Sequence, residues 1–288
     1  MAFSKIILNN TTLMDATTAT AAAADITAPK TAMLADGVMT EGTGSGGGIS
    51  VDDIATNTAP SGTVTLSSSV TSIGDYAFGG KPITSIVAPN VTSVGAYSFQ
   101  GTSITELTGT NFPSLTTMSG SGYSFGSMTS LRRVYFTSAS IPIGANGYRG
   151  SNALVVSRFP NRSGGTGNSP FYQVTNLQVL DLGSTSSTGS SFAQNSRKLQ
   201  TIIIRKSDGI CSLGGNALNG TPFAGYNGLS GIVYIPKTMY DHLGDNTSND
   251  YQKATNWSSL YSGGYCTFAK LEGSPYEATD WDDSGFLT

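Results

Sequence analysis

Val70-Thr-Ser-Ile-Gly-Asp-Tyr-Ala-Phe78 recurs 21 residues later as Val91-Thr-Ser-Val-Gly-Ala-Tyr-Ser-Phe99, with six of nine positions identical. The correspondence runs on through Gly80/Gly101, Ile83/Ile104, Thr84/Thr105 and Ile86/Leu107. No other feature constrains the chain as strongly. A self-similar unit of roughly 20 to 29 residues cannot bury its apolar face alone and has to stack on its neighbours, so the chain is expected to wind as a solenoid.

The repeat degenerates but stays legible as an aromatic residue, an aliphatic one five to seven positions later, and another aliphatic three further on. Phe125, Leu131 and Val134 obey this pattern, as do Phe171, Leu177 and Leu180; Phe192, Leu199 and Ile202; and Phe223, Leu229 and Ile232. Around Tyr148 and Leu154 the third position is Ser157. Seven coils are therefore expected, marked by Phe78, Phe99, Phe125, Tyr148, Phe171, Phe192 and Phe223. This period is that of a leucine-rich-repeat solenoid. The reading predicts a mainly β fold whose strands stack in parallel about 4.8 Å apart over roughly 30 Å. Each aromatic plugs the opposite side, and Gly or Asn turns the corners. Ile143 to Ser151 and Asn161 to Pro170, rich in Gly and Ser, are expected to leave the solenoid as loops.

These units resemble the BspA-like leucine-rich repeats, whose pattern residues 70 to 90 follow through to Pro89; the resemblance covers residues 63 to 235. It implies a surface adhesin or interaction module rather than an enzyme.

Beyond the last coil, Gly231 to Pro236 reads as a strand, Thr238 to Leu243 and Asn249 to Tyr261 as two short helices, and Tyr265 to Leu271 as a final strand. This is the atypical terminal unit that a solenoid needs to close its exposed core. At the other end, Phe3 to Asp15 alternates apolar and polar residues like strand, turn and strand, and Thr31 to Thr43 reads as a hairpin turning at Asp36-Gly37. Gly44-Ser-Gly-Gly-Gly48 follows as a flexible joint. The opening segment, with Lys5-Ile-Ile-Leu-Asn-Asn10, Thr31-Ala and Asp36-Gly37, resembles the N-terminal segments of phage tail and other virion-associated proteins, with Asn10 where those carry Gly. That resemblance implies a small β module attached to other virion proteins and a homo-oligomer. The expected organisation is attachment module 1–48, flexible linker 49–62, solenoid 63–235, helical cap 236–271 and an extended acidic tail 272–288.

Only 11% of the 288 residues are charged, and the net charge of −3 conceals a segregation. Residues 1–69 carry a net −4, residues 70–206 a net +7 and residues 207–288 a net −6. A basic middle can steer an anionic partner such as a teichoic acid or acidic glycan. The candidate contacts are Arg132, Arg133, Arg149, Arg158, Arg162, Arg197, Lys198, Arg205 and Lys206. No recognised nucleic-acid module accompanies them. No apolar stretch approaches the roughly 18 residues of a membrane span, and the N-terminus lacks a signal-peptide apolar core.

Catalytic, cofactor and metal residues are expected to be absent. Gly122-Tyr-Ser-Phe-Gly126 has the spacing of a hydrolase nucleophile turn, but the chain holds only His242 to serve as a base. Gly42 to Gly47 fits a dinucleotide-loop spacing without a βαβ unit after it. Cys211 and Cys266 form no zinc-type pair, and the Asp280 to Gly285 segment starts like a calcium loop but lacks its closing Glu. The expected role is a phage virion structural protein that contacts the host surface, with a bacterial surface adhesin as the alternative and a glycan-degrading enzyme after that.

Overall fold

The computed structural model describes residues 61–119 and 122–288 in full, together with the backbone of four strands nearer the N-terminus. Those four form two antiparallel pairs, β1 (Lys5–Leu8) with β2 (Thr11–Asp15) and β3 (Thr31–Met33) with β4 (Met39–Glu41). The pairs fall where the alternation put them. The glycine-rich joint and residues 49–60 of the linker lie outside the described residues.

From residue 62 onward every strand pairing is parallel. β5 (Gly62–Thr65) pairs with β7 (Ile83–Val87). Beyond them run seven strands in one sheet: β9 (Glu106–Thr108), β11 (Arg133–Tyr135), β12 (Val156–Arg158), β14 (Val179–Asp181), β16 (Thr201–Ile203), β17 (Gly231–Ile235) and β18 (Cys266–Lys270). A second ladder joins β6 (Ser72–Ile73), β8 (Ser93–Val94) and β10 (Thr117–Met118), and a third joins β13 (Ser163–Gly165) to β15 (Ser184–Ser187). The architecture is a parallel leucine-rich-repeat solenoid.

What closes each coil is a pair of left-handed residues four apart. Tyr76/Gly80, Tyr97/Gly101, Tyr123/Ser127, Asn146/Gly150, Ser169/Gln173, Ser191/Asn195 and Asn216/Gly220 all have φ between 52° and 71°. Ten of these fourteen residues carry a side chain, each at a steric cost of about 1–2 kcal/mol. The next coil offsets that cost by accepting the backbone N–H of the corner: Tyr76 to Ala96 at 2.9 Å, Ser169 to Ser190 at 2.9 Å and Ser191 to Gly215 at 2.8 Å. Inside the corners, Phe78, Phe99, Phe125, Tyr148 and Phe171 stack at 5.2–5.7 Å between neighbours, all fully buried.

The register of the main sheet puts one row inward. Val64 and Ile86 are aligned, followed by Leu107, Val134, Ser157, Leu180, Ile202 and Val233. Ser157 thus occupies a core position, fully buried and with no partner for its hydroxyl.

The structure differs from the sequence reading in five places. Ile143 to Ser151 is no excursion: Ile143 is buried and accepts the Gly167 N–H at 2.8 Å, and Tyr148 joins the aromatic stack. Asn161 to Pro170 likewise stays in the solenoid, because β13 pairs with β15. In the last coil Leu229 and Ile232 face solvent, while Val233 and Ile235 are buried. The strand sits one residue out of the expected register, which exchanges its faces. The seventh corner is built by Asn216/Gly220, so Phe223 stands outside the stack, in a 3₁₀ turn (Pro222–Ala224) packed on Gly231.

The fourth difference concerns the cap, whose helices are α1 (Lys237–Tyr240) and α2 (Trp257–Ser262). Asn256, with φ of 67°, and Asp250, which accepts the N–H groups of Asn246 and Gln252, hold the intervening residues in turns. The cap docks by side chains that complete the last coil. The Cys211 N–H donates to Tyr251 Oη at 2.9 Å, and Trp257 Nε1–H donates to the Cys211 carbonyl at 2.7 Å. Last, residues 272–288 are not extended into solvent. They fold back across the outer face of the main sheet, where Trp281 and Leu271 bury against Val155, Val156, Val179 and Ile203.

Two substitutions test the stacking. A Cβ at Gly189 would lie 2.2 Å from the Gly167 carbonyl oxygen, whereas one at Gly215 meets nothing within 4 Å. G189A should therefore destabilise by at least about 2 kcal/mol, roughly 4–8 °C in Tm, with G215A near neutral in the same thermal melts. S157A removes the unpartnered hydroxyl without changing the packing. It should stabilise by about 1 kcal/mol, read as a higher urea midpoint at unchanged slope.

Candidate functional site

The nine candidate cations do not form one surface. Four face the C-terminal segment. Arg158, 1% exposed, is sandwiched between the Tyr135 ring at 4.3 Å and the Trp281 ring at 4.2 Å. Its Nη1 donates to Asp283 Oδ2 at 2.8 Å and its Nη2 to the Thr279 carbonyl at 2.8 Å. Arg133 Nε donates to the same Asp283 oxygen at 2.9 Å, and its Nη1 to Glu106 at 2.5 Å. Burial lowers the Arg133 pKa, but the bonds and charges of Asp283 and Glu106 outweigh it and hold the group above its ordinary value. Arg205 pairs with the fully buried Asp181 at 2.8 Å and donates to the carbonyls of Tyr276, Glu277 and Ala278. Arg132 Nη2 reaches a backbone oxygen of Thr288 at 3.3 Å.

Arg162 is internal, at 3% exposure. Its guanidinium donates to the carbonyls of Ile141, Gly164 and Gly165 and to Thr185 Oγ1, with no carboxylate among its bonded partners. Burial pulls its pKa down. This side chain is why a glycine-rich stretch stays in the coil: one planar fork satisfies carbonyls that a loop would turn to water. Arg162 thus leaves the expected set of ligand contacts, because its guanidinium is used inside the coil, and Arg158 is taken up by the chain's own C-terminal segment.

Arg149, Arg197, Lys198 and Lys206 remain. Lys206 binds Asp208, Lys198 is exposed, and Arg197 lies over the Tyr226 ring at 5.3 Å. Arg149 belongs to a larger feature along the corner face. The rings of Tyr76, Tyr97 and Tyr123 stack nearly parallel at 4.9 and 5.2 Å. The Arg149 guanidinium continues the row, 5.5 Å from Tyr123 and 4.4 Å from Tyr172. Tyr76 is 62% exposed, and the other four are half-buried. Beside the row, Gly150, Asn152, Gln173, Thr175, Asn195 and Arg197 line a shallow, amide-rich groove. Tyrosine at the same corner position of three consecutive coils was the signal for this ladder, since Phe two residues later already fills the core.

The weighed catalytic and metal candidates find these surroundings. Ser124 is fully buried with an unpartnered hydroxyl, and His242 pairs with Asp245 in the cap at 2.7 Å. Cys211 and Cys266 are buried thiols whose pKa burial pushes up to about 12, so both stay protonated near neutrality. Asp283, from the calcium-like segment, is held by two arginines. Among the described residues no cluster of three or more His, Cys, Asp or Glu side chains could hold a metal ion. No helix there is long and apolar enough to cross a membrane.

A family model for the BspA-type leucine-rich repeat region matches residues 56–145 and 121–243, in six copies. The chain belongs to the BspA-type leucine-rich-repeat family. The match takes in well over half of the chain and bears out the fold expected from the 21-residue period. Such repeats point to surface adhesion or protein binding. No curated protein matches the chain.

The internal role of Arg162 is open to a direct check. R162M keeps much of the bulk but leaves the buried Ile141 carbonyl and Thr185 hydroxyl without their donor, and should lower stability by about 3 kcal/mol in denaturant titration. R197M, on an exposed side chain, should stay within about 0.5 kcal/mol of wild type.

Proposed function

We propose that this chain is a non-enzymatic adhesion protein of a phage virion, whose solenoid contacts the host bacterial surface and whose residues 1–48 attach it to other virion proteins as a homo-oligomer. The observation that carries the adhesive part is the outward row of Tyr76, Tyr97, Tyr123, Arg149 and Tyr172 beside the amide groove. These side chains add little to the core, yet they are held in a fixed line by one another. Phenol edges, a guanidinium and carboxamides suit a polyhydroxylated polymer bearing acidic groups, such as an acidic glycan or teichoic acid. Individually weak contacts gain from many copies on one particle.

The resemblance of the opening segment to virion-associated proteins supports the attachment part, as do its two short antiparallel pairs, too small a module to fold well alone. The placement of the cations favours the corner face as the contact. Arg149 in the ladder and Arg197 in the groove are the basic residues best placed there.

The test is binding of the purified full chain to host wall polysaccharide. Wild type should bind, and a Y97A/R149A double variant of unchanged Tm should bind about tenfold more weakly. Absence of binding at any salt concentration, together with normal adsorption of particles lacking the protein, sinks the adhesive reading. Detection in cell-envelope fractions instead of purified particles would make it a bacterial surface adhesin.

A further inference from the structure

Residues 272–288 cross the main sheet from β18 back to β11 and contact five strands through their side chains. The path is marked by Tyr276 on Tyr234 at 5.0 Å, the 276–278 carbonyls on Arg205, Trp281 on Arg158, Asp283 on Arg158 and Arg133, and Thr288 at Arg132. The segment adds no strand to the sheet and contains only one 3₁₀ turn (Ser284–Phe286). It lies on the face as a bound peptide would. A connection through Gly273, with φ of 77°, and Pro275 joins it to the last strand.

The contacts divide by what they recognise. Arg205 and Arg158 Nη2 read main-chain carbonyls, which any extended polypeptide presents. Trp281 and Asp283 supply the sequence-dependent part: an aromatic ring on the Arg158 plane, and two residues later a carboxylate bridging Arg158 and Arg133. The segment carries five acidic residues and no basic one, opposite to the face beneath. The fit is also incomplete. Trp281 Nε1 and Arg158 Nε are buried donors without an acceptor, each a loss of about 1–3 kcal/mol that an occupant with a suitably placed oxygen would recover.

We propose that the outer face of the main sheet is a peptide-binding site for an extended segment of a partner protein bearing an aromatic residue followed two positions later by Asp or Glu, and that residues 272–288 occupy it as an internal ligand. Arg158 and Arg133 are the specificity-determining residues, and Arg205 anchors the main chain. Tethering gives the internal segment an effective concentration near the millimolar range, so a partner displaces it only with better contacts or by delivery at high local concentration. This site is separate from the corner ladder, and either reading can fail without the other.

The probe is a fluorescein-labelled peptide of residues 276–288, read by anisotropy against the full chain. Wild type should bind it weakly. A W281A/D283A variant, whose own segment is weakened, should bind it at least about tenfold more tightly, and peptide carrying both substitutions should lose that gain. In hydrogen exchange the 272–288 amides of wild type should open well before the solenoid does. The proposal is overturned if those amides exchange only with global unfolding and the double variant loses its cooperative melt, because the segment is then part of the core. It is equally overturned if the variant frees its segment but gains no affinity for the peptide.

Discussion

Everything in this molecule depends on successive coils hydrogen-bonding to one another at the spacing of a β-ladder while each closes its circuit in a few tens of residues. Closure needs two sharp corners per coil, and the chain makes them with left-handed residues that are sterically unfavourable in isolation. The corner amides are satisfied only by the next coil, as with Tyr76 on Ala96 and Ser169 on Ser190. No coil is therefore stable by itself, and the last one requires the cap, where Tyr251 and Trp257 take up the N–H and C=O of Cys211. The close approach along the Gly167, Gly189 and Gly214 column follows from the same geometry.

The stacking also determines what the side chains can do. Identical corner positions fall in register, so Tyr76, Tyr97 and Tyr123 become a ladder without any residue being placed for that purpose alone. Outward strand positions fall in rows too. Val156 with Val179, and Arg158 with Asp181, provide the apolar strip and the charges on which the C-terminal segment rests. Four arginines of the basic middle and the acidic C-terminal segment, far apart in sequence, meet on this face. Low overall charge and strong local pairing are thus one fact seen at two scales.

Much of the fold was legible because stacking imposes a period, and a period is visible in a single sequence. The inward row, the aromatic stack, the antiparallel pairing of β3 with β4 and both final strands could be read from spacing. The last coil could not. Leu229 and Ile232 satisfied the aliphatic spacing, but the Pro222–Ala224 turn absorbs Phe223 and shifts the strand by one residue. The stretch around Arg162 misled for a different reason, since Gly and Ser composition suggests a loop unless a buried guanidinium is known to hold the carbonyls. The acidic segment carried its own warning: Tyr276, Trp281 and Phe286 within 17 residues are more aromatic surface than a solvated tail needs.

From the sequence alone came the parallel solenoid, its approximate coil count, the need for a terminal cap and the segregation of charge. These depend on local spacing and composition, which neighbouring coils translate directly into stacked rows. Tertiary structure alone decided which cations remain free. Arg158, Arg162 and Arg205 are alike in sequence to Arg149 and Arg197, and their burial depends on partners 2 to 125 residues away in the chain. Pairing across such distances leaves no local period, so only the folded chain separates arginines that hold the molecule together from those that face outward.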